Sequence, residues 1–230
     1  MNGTPTLRSR IVWLIVFSVA MGFLETAVVV YLRLLYYPEG FDFPLVVMSP
    51  AVGIVEILRE AATVIMLLGV GVLTGVNARQ RFAFFILSFA IWDLFYYIFL
   101  KMFLDWPESL FTWDILFLIP APWVGPVLSP IIICITMVAL TTIILLNEKQ
   151  HTPKYLTWQH WTLLIAGSLV VIASWMRDYI AYSGRISDSP EKALEVLASY
   201  VPQQFNWWMF AVGEALIVLG IVLYYKRPKA

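Results

Sequence analysis

Apolar residues run through this chain in blocks of twenty or more, separated by short polar stretches and with little strand-like alternation. A helix needs about 20 such residues to cross roughly 30 Å of hydrocarbon. Six blocks meet that length, at approximately 11–36, 50–75, 82–104, 126–146, 159–182 and 205–225. The pattern predicts an all-α integral membrane protein, a six-transmembrane-helix bundle forming a single domain over 1–230. The first block follows Arg8 and Arg10 without a clear small-residue cleavage site, so it reads as a retained span.

The connections set the orientation. Arg8, Arg10, Arg79, Arg81, Lys149, Lys154, Lys226, Arg227 and Lys229 fall on one side, and Glu39, Asp42, Asp105, Glu108 and Asp114 on the other. A third outer connection holds Asp188, Glu191 and Glu195. The excess of Lys and Arg marks the cytoplasmic side, which places both termini there. Pro38, Gly40 and Pro44 exclude a continuous helix in the first outer connection. Asp105-Trp106-Pro107-Glu108 has the spacing of a capping box and predicts a short outer helix through Ile119. Pro120, Pro122 and Pro126 stop it, and apolar non-helical backbone at a membrane edge has to be buried or line a wet cavity. The segment 105–126 therefore reads as a lid or re-entrant element between the third and fourth spans. Ser189-Pro190-Glu191 opens a further short helix to about Tyr200, expected flat on the outer leaflet with Leu194, Leu197 and Val201 on one face.

Composition narrows the class. The chain has 230 residues, 61% hydrophobic and 13% charged, against about 25% charged in an ordinary soluble domain. Formal net charge is zero, so nothing points to nucleic acid, and the bilayer is the expected surrounding. A multi-pass protein of the bacterial plasma membrane is the expected setting. Cys134 is the sole cysteine, which excludes an internal disulfide. His151 and His160 fall at the cytoplasmic edge as solvent-side or interfacial residues, and the absence of a Cys/His cluster argues against haem and zinc.

Charges inside the blocks carry the chemistry. Glu56-Ile57-Leu58-Arg59-Glu60 puts three ionisable side chains into the second block, at about 2.5–3.5 kcal/mol each if they faced lipid. At 1.5 Å per residue, Glu56 lies about 9 Å and Glu60 about 15 Å from the outer end. Glu25 lies about 21 Å above the inner end, Asp93 about 17 Å above Phe82 and Glu214 about 13 Å below Phe205. Five acids from four spans thus share one slab with one base, Arg59. Gly53, Glu56, Glu60 and Thr63 stand on one helical face, as do Ser18, Gly22 and Glu25. Asp178 with Arg177 sits in the outer quarter of the fifth block, and Arg33 and Lys101 are expected to snorkel at the outer edge. The fourth block carries no charge and is expected on the periphery.

The sequence thus predicts a polar cavity open to the outside, lined by Glu25, Glu56, Arg59, Glu60, Asp93, Tyr96, Asp178, Trp207 and Glu214, with Asp114 and Trp123 on the lid. Glu60 and Asp93 are the expected charge or proton carriers, and Arg59 the fixed counter-ion. Tyr96, Trp92, Trp175 and Trp207 offer faces to a cation. The first reading is binding or transport of a small cationic or amphipathic solute. In span number and termini the chain resembles the substrate-binding membrane components of vitamin-uptake transporters. A second reading is an intramembrane enzyme acting on a lipid-like substrate by carboxylate acid–base chemistry or a divalent cation. Glu56-x-x-x-Glu60 resembles the acidic motif of polyprenyl-pyrophosphate phosphatases, although their Gly/Ser/Arg-rich phosphate segment is missing. The third reading is a structural subunit of a larger membrane assembly, its bundle locked by buried ion pairs.

Overall fold

The structure, a computed structural model, describes residues 6–148, 154–184 and 193–227. Lys149, His151, Asp188, Ser189, Pro190, Glu191 and Lys229, to which the sequence reading assigns a side or a helix start, lie outside the described residues. Seven helices and one hairpin follow in order: α1 (Leu7–Tyr36), α2 (Pro50–Thr74), α3 (Ala78–Leu104), β1 (Trp113–Phe117), β2 (Trp123–Pro126), α4 (Leu128–Glu148), α5 (Trp158–Ser183), α6 (Ala193–Ser199) and α7 (Trp207–Lys226). Among the described residues, α1, α3, α4, α5 and α7 are long and apolar enough to cross a membrane.

Local chemistry sets the ends. Thr6, Ser49, Asn77 and Asn206 each accept a hydrogen bond from a backbone N–H three residues on, satisfying one of the orphan donors of a first turn. Pro50 follows Ser49 at the first helical position, where its missing N–H costs nothing. Outward faces stay apolar: Trp13, Leu35, Leu73 and Trp208 are each at least 70% exposed. That is the surface of a multi-pass membrane protein, since apolar area on this scale is rare in water.

α3 is the hub, packing against α1, α2 and α4, while α5 pairs with α7 and α4 bridges α3 to α7. The main core runs through Leu14, Phe84, Ile144, Val171, Phe210 and Ile217. The fourth span is therefore not peripheral. Its hydropathy suits lipid, but three of its small polar side chains face neighbouring helices: Thr141 donates to the Ala83 carbonyl at 3.2 Å, and Cys134 and Thr136 serve acids on α3 and α7. At one end of the bundle, basic groups tie the elements together. Arg10 donates to the Thr74 carbonyl at 2.9 Å, Arg79 pairs with Glu148, and Arg227 donates to the Tyr155 carbonyl at 2.7 Å. His160 belongs to this end but is buried, its Nδ1 accepting from the Thr157 N–H at 2.9 Å, so it is a capping group rather than a solvent-side residue.

The segment after α3 departs from the expected helix. Asp105 sits at the end of α3 in the left-handed region (φ 51°), with its carboxylate 2.7 Å from Lys101 Nζ. It closes one helix instead of capping the next. Ser109 and Thr112 form a turn through a 3.1 Å backbone hydrogen bond, and β1 then pairs antiparallel with β2, Asp114 opposite Gly125 and Ile115 opposite Val124. Trp113, Ile115 and Phe117 suit a strand better than a helix. The tip 118–122 holds Pro120 and Pro122, which lack the N–H a continuing ladder would need. α6 likewise does not lie free on a leaflet. Val196, Ala198 and Tyr200 are buried while Val201 is 39% exposed, because Tyr200 packs its ring on Tyr179 of α5 at 5.4 Å.

Candidate functional site

α1 and α2 contribute the first part of the site. The buried face of α2 is Gly53, Glu56, Glu60, Thr63, Leu67 and Gly71, one residue or two per turn. Glu56 and Arg59 are three residues apart, and Arg59 Nε and Nη2 donate to Glu56 Oε2 at 2.9 and 2.7 Å. Arg59 Nη1 pairs with Glu25 of α1, whose other oxygen accepts from the Thr63 hydroxyl at 3.3 Å. One guanidinium thus bridges two carboxylates. Glu60, one turn on, faces the hairpin: its Oε2 accepts from the Leu118 backbone N–H at 2.8 Å.

The second part comes from the far end of α1. Arg33 is 7% exposed, not snorkelling. Its guanidinium lies over the rings of Phe41, 4.2 Å away, and Trp106, 3.8 Å away, which stand at 90° to each other with centroids 5.8 Å apart. Such stacking favours a cation against the negative face of each ring. Asp114, on β1, places Oδ1 3.5 Å from Arg33 Nη2 and accepts from the Tyr97 hydroxyl at 3.1 Å through Oδ2. Burial pushes the Asp114 carboxyl up to about 6, against the pull of Arg33 and the Tyr97 hydroxyl.

Between the two parts lies a cavity of about 330 Å³. Glu56, Arg59, Glu60, Arg33, Asp114 and Tyr96 supply its polar lining. Its remaining wall is apolar, with Leu45 and Val46 from the α1–α2 connection, Ile57 from α2, the tip prolines Pro120 and Pro122, and Leu197 from α6. Val46 and Ile57 are also 44% and 45% exposed, which puts them at its rim. The volume lies at the low end of ordinary ligand sites, and the mix of apolar wall and a few convergent charges is the usual composition of one.

The structure brings Glu25, Glu56, Arg59, Glu60, Tyr96 and Asp114 around this cavity, Glu25 through its bond to Arg59. Asp93, Asp178, Glu214, Trp207 and Trp123 stand in other contacts. Asp93 accepts from the Cys134 thiol at 3.2 Å between α3 and α4. Glu214 accepts from the Thr136 hydroxyl, and its Oε2 has no partner among the described residues. Asp178 accepts from the Tyr200 hydroxyl at 2.6 Å and fastens the α5–α7 connection to α5. Trp207 packs on Phe205 and Phe111, and Trp123 stacks on Trp175 at 5.5 Å. Trp92 packs with Met21, Leu67 and Phe89. Equal depth along different helices does not imply a common face, which is why the slab divides.

Arg33 is the residue that sequence reasoning placed elsewhere. Its one legible signal is its helical phase, seven residues beyond the buried Thr26. Phe41 and Trp106, which hold it inward, come from two separate connections. Among the described residues no three of His, Cys, Asp and Glu group so as to hold a metal ion. No protein-family model, curated protein or solved structure matches the chain.

Proposed function

We propose that α2 is a sixth span, that the basic end of the bundle is cytoplasmic, and that the cavity opens on the outer side to bind or carry a small cationic or amphipathic solute. α2 has 25 residues, roughly 37 Å at 1.5 Å each, and its outward face is apolar, with Ile54, Val55, Leu58 and Ile65 exposed. Its three charges fall on or beside the buried face, the arrangement that makes charge inside a bilayer tolerable. Clustering of Arg10, Arg79, Arg81, Lys226 and Arg227 at one end supports the orientation.

One observation carries the choice of ligand. Arg59 is already neutralised by Glu25 and Glu56, and Arg33 stands beside Asp114, whereas Glu60 forms no salt bridge among the described residues. A carboxylate at the edge of an apolar cavity, holding only a backbone N–H, lacks a cation. A solute that brings one gains a Coulomb partner in a medium of low dielectric, and its apolar part gains the wall.

The test uses the protein in an uncharged maltoside, with hexyltrimethylammonium, hexanol and hexyl sulfate as probes of equal chain length. A true ligand raises the unfolding midpoint by mass action, stabilising the folded state by about 2.7 kcal/mol at a hundredfold excess over Kd. Hexyltrimethylammonium is expected to do so, and Glu60→Gln to abolish the effect while the variant stays folded. Equal shifts from all three probes, or an undiminished shift in Glu60→Gln, refute the reading. Stabilisation by Mg2+ or Ca2+ instead redirects it to carboxylate–metal chemistry.

A further inference from the structure

Arg10 is held in place without a counter-ion. It reaches from the start of α1 to the end of α2, where Nη1 donates to the Thr74 carbonyl and to Gln80 Oε1, both at 2.9 Å. Both acceptors are neutral, and Arg10 forms no salt bridge among the described residues, whereas Arg33, Arg59, Arg79 and Lys101 each do. Gln80 stands between it and Glu148: Gln80 Nε2 donates to Glu148 Oε2 at 3.3 Å, and Glu148 is already paired with Arg79. Nε of Arg10 is enclosed, but Nη2 is not, and Nη2 donates to nothing among the described residues. At this end Glu148 is the one described acid, against Arg8, Arg10, Arg79, Arg81, Lys226 and Arg227, so the local field is positive.

Arg10 also lines a cleft of about 600 Å³ between α1 and α2. The two helices both pack on α3 and touch each other little, which leaves room between them. Away from the basic end the wall is apolar, with Leu14 from α1 and Val70 and Leu73 from α2, and Leu73 is 88% exposed. Trp13, 70% exposed, stands one turn from Arg10, where an amphipathic ring suits the headgroup layer. None of the lining residues is acidic.

We infer that this cleft binds one anionic phospholipid, its phosphate on Arg10 and one acyl chain along Val70 and Leu73. The inference rests on the reading of α2 as a span, which sets the cleft at a leaflet surface, and it is independent of the ligand proposed for the Glu60 cavity. Two observations choose this occupant. A guanidinium with an open edge and no carboxylate takes a phosphate oxygen, and basic pockets between spans at a membrane surface meet phosphate on lipid headgroups. An apolar wall that runs from the charge towards the bilayer core matches a chain below a headgroup and offers nothing to a free anion. A zwitterionic lipid sets its own cation beside several bases and only one acid, so the field disfavours it.

The experiment is native mass spectrometry of the protein in an uncharged maltoside holding equimolar palmitoyl-oleoyl phosphatidylglycerol and phosphatidylcholine. Phosphatidylglycerol is expected to be retained in preference by at least about tenfold, the worth of one charge-assisted hydrogen bond. Equal retention of the two lipids by the unaltered protein overturns the inference, and that comparison needs no variant. Arg10→Gln is expected to bring the ratio to about one, while Lys226→Gln, at the same end but outside the cleft, keeps it. An equal fall in both variants reports general attraction to a basic surface and overturns the site. Ser9→Asp sets a carboxylate in the cleft beside Arg10 and is expected to erase the ratio as well. Ser9 is the third residue of α1, where an acid suits a helix start, so this variant tests the cleft even where Arg10→Gln fails to fold. A ratio that survives Ser9→Asp overturns the site. Glycerol 3-phosphate at the same concentration as the lipids is expected to displace none of the retained phosphatidylglycerol. Full displacement assigns the cleft to a soluble phosphate and overturns the lipid. The Glu60 test reads a different ligand, so either site can fail alone.

Discussion

Removal of the Arg59 charge is the sharpest test of how the polar face of α2 is held. Arg59→Met keeps an unbranched, flexible side chain, shorter by two atoms, and deletes its charge. Glu25 and Glu56 then face each other across the α1–α2 contact with no cation, their side chains only 11% and 10% exposed. At an effective dielectric near 20, a unit pair about 4 Å apart is worth about 4 kcal/mol. Breaking buried pairs from one side costs about 3–5 kcal/mol, because the remaining charge is stranded. The expected destabilisation of Arg59→Met is thus about 3–5 kcal/mol. The triple variant Arg59→Met, Glu25→Met, Glu56→Leu strands nothing and is expected within about 1.5 kcal/mol of the starting protein, since apolar replacement of a whole network is often neutral. Unfolding in maltoside–dodecyl sulfate mixtures, followed by tryptophan fluorescence, measures both. A loss below about 1 kcal/mol in the single variant, or a triple variant that falls as far as the single, refutes the account of the network.

Three further outcomes test how the helices pack. Gly167→Ala puts a methyl group 2.6 Å from the Gly213 carbonyl oxygen and from Ile217, and is expected to cost about 1–3 kcal/mol by forcing α5 from α7. Gly69→Ala, which meets nothing within 4 Å, is expected to be neutral or to stabilise by up to about 1 kcal/mol, and the same unfolding titration separates the two. Cys134 is 1% exposed and donates to Asp93, so N-ethylmaleimide is expected to leave it unmodified in the folded protein and to label it fully on unfolding. Rapid labelling of the folded protein, read by mass spectrometry, refutes the α3–α4 contact.

The parts of this protein that were legible beforehand share a cause. Five spanning helices and the helical course of α2 follow from runs of apolar residues, because a bilayer admits only backbone that satisfies itself. The phase of Gly53, Glu56, Glu60 and Thr63 follows from 3.6 residues per turn, as does the closeness of Glu56 to Arg59. The hairpin was not legible. Asp105-x-x-Glu108 has the spacing of a helix start, but α3 reaches it first and turns Asp105 into a stop.

Sequence by itself determined the solvent of this chain, the length of its long helices and which face of α2 turns from lipid, since all three are set by local spacing and transfer energy. Only the tertiary structure decided which acids meet. Helix rotation and neighbour order send Glu25 to Arg59, Asp93 to Cys134, Glu214 to Thr136 and Asp178 to Tyr200, and two separate connections set the Phe41 and Trp106 rings against Arg33. Depth is a property of one helix; a shared cavity is a property of how several are turned against each other.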